Sequence, residues 1–326
     1  MPRIVYLLLS EGGIAGGHKM ILRHVETLRD LGFNAICYIG TGSKVPGWFD
    51  HDAPLELGTP IRPDDIIVLP DDAPVAIKTV LDARLRGLII TQNPYNFAVA
   101  SFDIVDQFPP SRFPHFIAVG ERLAATVRRV YPSAEVSVVP CFADERIFRP
   151  AAAKSFTIVS APRKRPLEAN VIYQMFRRMH PEHSDLNWSP QEGVTETQMA
   201  EQLAGSSLFL SLSRLESVGM TPLEAMASGC VCAGFTGVGG LEYATEENGF
   251  WVPDDDCEAA ADAVARAAAL VKSGGEPLRR HLASAHETAQ AWSYARFRTA
   301  LERVWMQLAP DAHPSGGSLA PGLSET

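Results

Sequence analysis

The feature that most constrains this chain is the recurrence of short, unalternating apolar runs, each followed by a stretch with helical spacing. The first run covers residues 4–9; a glycine-rich loop follows, then a helix is expected over 18–31, with Ile21, Val25, Leu28 and Leu31 on one stripe and Gly32 as its stop. Further strands are expected over 35–39, 66–69, 88–91, 116–119 and 136–139, with helices over 75–86 and 121–131 between them. Strands that do not alternate are buried on both faces, which calls for a parallel sheet covered by helices.

The segment 140–150 ends this array, and Ala151-Ala152-Ala153-Lys154 reads as a surface linker. The pattern then restarts: a strand over 156–160, helices over 166–180 and 195–203, a strand over 208–212, a helix opened by Pro222, and a strand over 231–235. A length of 326 residues suits two domains of roughly 150 residues each. The expected division is 1–150, 151–292, a final helix at 293–309, and a tail at 310–326. Phe297, Leu301, Val304, Trp305 and Leu308 share one face of the final helix, which is expected to pack back across the junction. The tail is rich in Pro, Gly and Ser and is expected to be disordered.

A formal net charge of −9 argues against a nucleic-acid footprint. The run over 4–9 is too short for a membrane span or a signal-peptide core. The five cysteines (Cys37, Cys141, Cys230, Cys232 and Cys257) are an odd, scattered set, as in a reducing compartment. Cys230 and Cys232 lack C-x-x-C spacing and a second ligand pair, so strand positions are the simpler reading.

In doubly wound sheets ligands sit beyond the carboxyl ends of strands, and three such loops stand out. The loop over 10–19 holds four glycines, which let backbone approach a ligand; a merely tight strand-to-helix turn explains it equally well. It matches neither G-x-G-x-x-G nor the P-loop, so neither NAD nor ATP is indicated. Arg163-Lys164-Arg165 sets three cations after a strand, where they would neutralise a diphosphate or form a solvated basic turn. Glu216 and Glu224 are separated by seven residues around a glycine turn that opens a helix. Each carboxylate can accept from a pair of hydroxyls, as on a ribose or a hexose, while the turn offers N–H groups to phosphate. Thr221, Pro222 and Glu224 also read as a capping box, which gives Glu224 a structural alternative. Asp254-Asp255-Asp256 heads a helix, where capping is the simpler reading.

The run over 208–253 resembles the donor-binding half of the retaining glycosyltransferases of family four. Their E-x7-E signature matches Glu216, Gly219, Leu223, Glu224, Ala225, Met226, Ala227 and Gly229, and is followed by a glycine pair (Gly239, Gly240) and N-G-x-x-V (Asn248, Gly249, Val252). Val139-Pro140 and the residues 144–150 are similar to the interdomain segment of that family, and Gly16-Gly17 to its amino-terminal glycine pair. The resemblance implies a GT-B fold: two Rossmann-like, doubly wound parallel-sheet domains facing a cleft, acceptor on the amino-terminal side and nucleotide sugar on the other.

Residue by residue, it implies ribose contacts from Glu224, sugar hydroxyl contacts from Glu216, and contacts to sugar or phosphate from the segment Ser217, Val218, Gly219, Met220 and Thr221, with Val218 standing where the family carries Phe. Gly16 and Gly17 would leave room for the diphosphate, which Arg163 and one of Lys164 and Arg165 would hold. The family spaces its Arg and Lys more widely and places a His where this chain reads Gln92-Asn93, so Asn93 is the candidate contact there. The expected reaction passes a sugar from a UDP- or GDP-sugar to a glycan, lipid-linked or small-molecule hydroxyl with retention, without metal. A cytoplasmic setting is expected, at the inner membrane face where envelope polysaccharide is assembled; secondary-metabolite glycosylation is the alternative. A binding scaffold without turnover, and a hydrolase or epimerase acting on the donor, are the rival readings.

Overall fold

The computed structural model describes residues 1–10 and 12–314. Glu11 of the glycine loop and residues 315–326 of the expected tail lie outside the described residues. The chain forms two units, one made of Met1–Val139 with the chain from Arg298 onward, the other of Pro140–Phe297. The first division thus falls about eleven residues before the expected 150, and the second lies inside the final helix. Segment 140–150 belongs with the second unit for a local reason: the Ala143 N–H donates to the Trp292 carbonyl at 2.9 Å, and Phe142 stacks on Phe297 at 4.5 Å.

In the first unit the order is β1 (Ile4–Leu8), α1 (Gly16–Asp30), β2 (Ala35–Ile39), β3 (Leu55–Leu57), β4 (Ile66–Pro70), α2 (Pro74–Asp82), β5 (Arg86–Thr91), α3 (Pro94–Val105), β6 (His115–Ala118), α4 (Glu121–Val130) and β7 (Val136–Val138). These strands form one parallel sheet in the order β3-β2-β1-β4-β5-β6-β7. The order reverses between β1 and β4, which is the crevice where such sheets bind ligands. At the opposite end of the same two strands, buried Arg3 grips fully buried Asp65 in a bidentate pair, at 2.9 and 2.6 Å.

The second unit runs β8 (Ser155–Ser160), α5 (Pro166–Met179), β9 (Asn187–Pro190), α6 (Glu196–Gly205), β10 (Ser206–Leu212), α7 (Met220–Ala227), β11 (Val231–Phe235), α8 (Gly237–Gly240), β12 (Gly249–Val252), α9 (Cys257–Ser273), α10 (Gly275–Ala291) and α11 (Tyr294–Leu308). Its parallel sheet has the order β12-β11-β10-β8-β9, with the reversal between β8 and β10. Helix α9 presents Ala260, Ala261, Ala263, Val264, Ala267 and Ala268 to the core, and such small side chains let a helix lie close against a sheet. Cys230 and Cys232 are both fully buried on and beside β11, where burial pushes their thiols up.

From Arg298 on, α11 belongs to the first unit, where fully buried Trp305 donates its indole N–H to the Tyr6 hydroxyl at 3.2 Å. The expectation of disorder from residue 310 needs correction over 310–314. A short 3₁₀ turn at Pro310–Ala312 follows, Ala309 and Ala312 are fully buried, and the His313 ring meets Phe33 at 4.8 Å while its Nε2 donates to the Leu31 carbonyl at 2.8 Å. That carbonyl lies at the C-terminal end of α1, where the helix leaves acceptors unsatisfied.

Candidate functional site

In the second unit the two loops at the switch point carry opposite charges. The loop leaving β8 brings Lys164 against Glu216 from the loop leaving β10, with Nζ 2.7 Å from Oε1. The other Glu216 oxygen accepts a short bond from the Arg214 N–H. Burial alone would raise the Glu216 carboxyl, but the Lys164 charge and hydrogen bond, with the Arg214 N–H, outweigh it and leave the group below its ordinary value. Glu216 is therefore an ionised acceptor at neutral pH. With side chains 22 % and 47 % exposed respectively, Glu216 and Lys164 are both reachable from solvent. Arg163 beside them is exposed and makes no ion pair or hydrogen bond among the described residues.

The glycines of the next strand's end explain how the Glu216 loop holds its shape. Gly237 has φ +60°, and a Cβ there would lie 2.7 Å from the Arg214 carbonyl oxygen; one on Gly239 would lie 2.5 Å from the Ser217 carbonyl carbon. Only glycine permits so close an approach of two backbones, and the Val238 N–H seals it by donating to Arg214 at 2.8 Å. Gly237–Gly240 is accordingly a short helix, α8. Buried Tyr243 donates its hydroxyl to the Gly219 carbonyl at 2.7 Å. Its own carbonyl accepts from Asn248 Nδ2 at 2.7 Å, and Asn248 Oδ1 accepts from the Thr245 N–H and the Trp251 indole, both at 2.9 Å. Asn248 is thus a buried hub that builds the bend before β12, and Tyr243 is a support that sequence reading missed because a lone Tyr outside a motif carries no pattern.

Ser217 and Val218 are buried, whereas Met220 and Thr221 are half-buried at the start of α7. The capping box expected at Thr221 is not formed: α7 opens at Met220 with Gly219 as N-cap and no side-chain cap bond. Pro222 then stands third in the helix, where its missing N–H is one of the first-turn donors without a partner in the helix, so nothing is lost by starting earlier. Glu224 is buried in the body of α7 rather than at its N-terminal cap. Capping no longer accounts for it.

Arg165 also needs correction as a diphosphate candidate. It is 1 % exposed, lies over the Phe235 ring at 4.7 Å, and pairs with Asp255 through a short contact, with Glu168 at 3.5 Å and with Asp254 at 3.9 Å. A guanidinium surrounded by three carboxylates and a ring face is already neutralised. Of the three acids over 254–256, only Asp256 caps α9, accepting from the Ala259 N–H at 2.9 Å.

The first unit's switch point is organised by different chemistry. Gly16 and Gly17 lie in the first turn of α1, which begins two residues before the expected 18. A Cβ on Gly17 would sit 2.6 Å from Gln92 Oε1, and Gln92 Nε2 donates to the Gly17 carbonyl at 2.9 Å, so a side-chain amide of the chain itself fills the space beside that glycine. Asn93 is the N-cap of α3: its side-chain Oδ1 accepts from the Tyr95 and Asn96 N–H groups at 2.9 and 3.2 Å. That oxygen is committed to the helix. Buried Asp71, which follows β4, accepts the Gln92 and Asn93 N–H groups at 2.7 and 2.9 Å; burial nonetheless pushes its carboxyl up to about 7. His18, half-buried in the same turn of α1, is lowered by burial against the opposing charge of Asp72, and its Nδ1 has no hydrogen-bond partner among the described residues.

With this geometry in view, four likenesses bear on the chain. Residues 174–269 match the family model described as glycosyl transferases group 1, a stretch that takes in Glu216, Glu224, α8, Asn248 and Asp254 but not the cation loop. An alpha-1,6-glucosyltransferase of Actinobacillus pleuropneumoniae serotype 7 (strain AP76) is 24% identical over 263 residues, covering 77% of this chain and 79% of that protein. Among solved structures, sucrose-phosphate synthase from Thermosynechococcus elongatus superposes with a TM-score of 0.67 at 15% identity, over 95% of this chain and 100% of that one. Anabaena HepE in complex with UDP-glucose gives 0.66 at 12% identity, over 94% and 99%. The two parallel-sheet units of this chain are thus those of the GT-B glycosyltransferase structures.

Proposed function

We propose that the chain is a glycosyltransferase that transfers a sugar, with retention at the anomeric carbon, from a UDP-sugar to a hydroxyl of a glycan, lipid-linked or small-molecule acceptor. The observation that carries this reading is the solvent-reachable Lys164–Glu216 pair across the β8/β10 switch point, within the sheet whose sequence matches group 1 glycosyl transferases from α5 into α9. Each partner offers what one end of a nucleotide sugar needs. Lys164, with Arg163, would meet the diphosphate and stabilise the charge that develops as the sugar–phosphate bond breaks. Glu216, released from Lys164, would accept hydrogen bonds from sugar hydroxyls, and Glu224 from those of the ribose. The first N–H groups of α7, at Gly219, Met220 and Thr221, would add a positive pole beside the phosphates. No metal is required by this reading because the cations supply the charge.

UDP and glucose are favoured by the HepE complex and by the glucosyltransferase relative; a GDP-sugar is the alternative donor. Envelope polysaccharide assembly belongs to the proposal on the strength of the family resemblance. No helix among the described residues is long and apolar enough to cross a membrane.

The test is calorimetric titration with UDP, GDP, ADP, dTDP and UDP-glucose in EDTA. Saturable binding of one nucleotide is expected, weakened about tenfold in Arg163→Ala, as for loss of one charge-assisted contact. Absence of binding by every nucleotide would overturn the reading. Incubation with the donor that binds then separates transfer from its rivals: release of free sugar or an isomer without acceptor identifies a hydrolase or epimerase.

A further inference from the structure

The contacts around Glu216 close into a ring. Starting from Arg165, its Nη2 lies 3.9 Å from Asp254 Oδ1, and that same oxygen accepts the Gly237 N–H at 3.3 Å. Gly237 and Val238 abut the backbone of Arg214, the Arg214 N–H holds one oxygen of Glu216, and the other oxygen meets Lys164, the neighbour of Arg165 in sequence. Two ties therefore join the cation loop to the Glu216 loop: the direct Lys164–Glu216 pair, and a longer one through Asp254.

The two ties differ in what a donor would do to them. On the transferase reading, on which this inference rests, Lys164 leaves Glu216 for the diphosphate, and the direct tie breaks just when the loops must hold phosphate and sugar in fixed register. The tie through Asp254 uses no group that the donor claims. Arg165 is buried and already neutralised, and Gly237 contributes only backbone. We propose that Asp254 is a positioning residue for the reaction, joining the loop that carries Lys164 to the loop that carries Glu216 through Arg165 on one side and the Gly237 N–H on the other.

Asp254 suits a test because its side chain is 39 % exposed, so its replacement leaves the core intact. Asp254→Ala is expected to lower kcat about tenfold or more while changing the Kd for UDP by less than about threefold, since misplacement by fractions of an ångström is felt in the reaction more than in binding. Asp254→Asn keeps an acceptor for Gly237 and loses the charge facing Arg165, and should fall between. Unchanged kcat in Asp254→Ala, or a loss confined to KM, would overturn the inference.

A second readout needs neither donor nor turnover. In a Lys164→Ala background the direct tie is already gone, so adding Asp254→Ala should speed amide exchange of residues 213–220 about tenfold relative to Lys164→Ala alone. Equal exchange in the two variants sinks the positioning role even if the wild type proves to have no activity, whereas absence of turnover in the wild type counts against the transferase reading alone.

Discussion

Both sheets are parallel and doubly wound but differ in strand order, and their switch points are filled in opposite ways. At β1/β4 the loops are tied through backbone groups: Gln92 lies against Gly17, Asp71 gathers the N–H groups of Gln92 and Asn93, and Asn93 caps α3. At β8/β10 they are tied by a solvent-reachable charge pair, Lys164 with Glu216. Hydrogen bonds to buried backbone are costly to leave unmade, so the first arrangement is a fixed framework. An accessible ion pair contributes little to stability, on the order of 0–1 kcal/mol, so the second can exchange partners with a charged ligand at small cost. On the proposed function, the difference assigns the chemistry to the second sheet and the scaffolding to the first.

The sharpest way to break that contrast is Glu216→Gln. The amide keeps the size of the side chain and removes the charge that neutralises Lys164. Transfer should fall about 100-fold or more, as when one charged contact to a reacting group is lost, with melting temperature nearly unchanged. Affinity for UDP alone should hold or rise, because Lys164 is then free for phosphate. Wild-type turnover, or a large fall in melting temperature, would make the pair structural and erase the contrast.

The pH dependence of stability should run in opposite directions at the two switch points. Asp71, raised from 3.8 to about 7, keeps its proton in the folded chain while the unfolded chain loses it, so its contribution is full below about pH 4 and is lost as pH rises toward 7. Glu216, lowered by Lys164 and the Arg214 N–H against the cost of burial, contributes above the ordinary carboxylate range and loses that as pH falls through its folded value. Thermal denaturation across pH 4–7 should show Asp71→Asn flattening the decline on the alkaline side. A curve for Asp71→Asn parallel to wild type would mean that Asp71 is ionised in the fold, and that the first switch point also holds a bare charge.

How much of this was legible in the sequence follows from which interactions are local. Both sheets announced themselves, because a strand buried on two faces must be apolar throughout, as over 4–8 and 208–212. Strand β9, with sequence Asn-Trp-Ser-Pro at a sheet edge, and the three-residue β3 carry no such run and were missed. The segment Glu216 to Glu224 stood out by spacing, but the partner of Glu216 did not: Lys164 lies 52 residues away and is brought near only by the crossover of β8 and β10. Arg165 misled for the same reason, since a buried guanidinium and an exposed one read alike until Asp254 and Asp255 return from the far side of β12. The N-cap of α7 at Gly219 rather than Thr221 removed the capping explanation for Glu224, a distinction of two residues that spacing cannot make.

Asn93 provides the smallest and most discriminating prediction. The family resemblance suggested a substrate contact for Asn93, yet its side-chain oxygen accepts from Tyr95 and Asn96 as the N-cap of α3, ahead of Pro94 at the first helical position. Asn93→Ala should therefore cost about 1 kcal/mol of stability, the usual loss for a removed cap, seen as a fall of roughly 2–4 °C in melting temperature for a chain of this size. Asn93→Ser and Asn93→Asp, which both can cap, should restore most of it. Turnover per folded molecule should stay within about threefold of wild type in all three variants, since an oxygen already held by two N–H groups has little left to offer a ligand. A loss of activity in Asn93→Ala that Ser and Asp fail to rescue, with melting temperature intact, would move the residue from the framework to the chemistry and give the first sheet a share of the reaction.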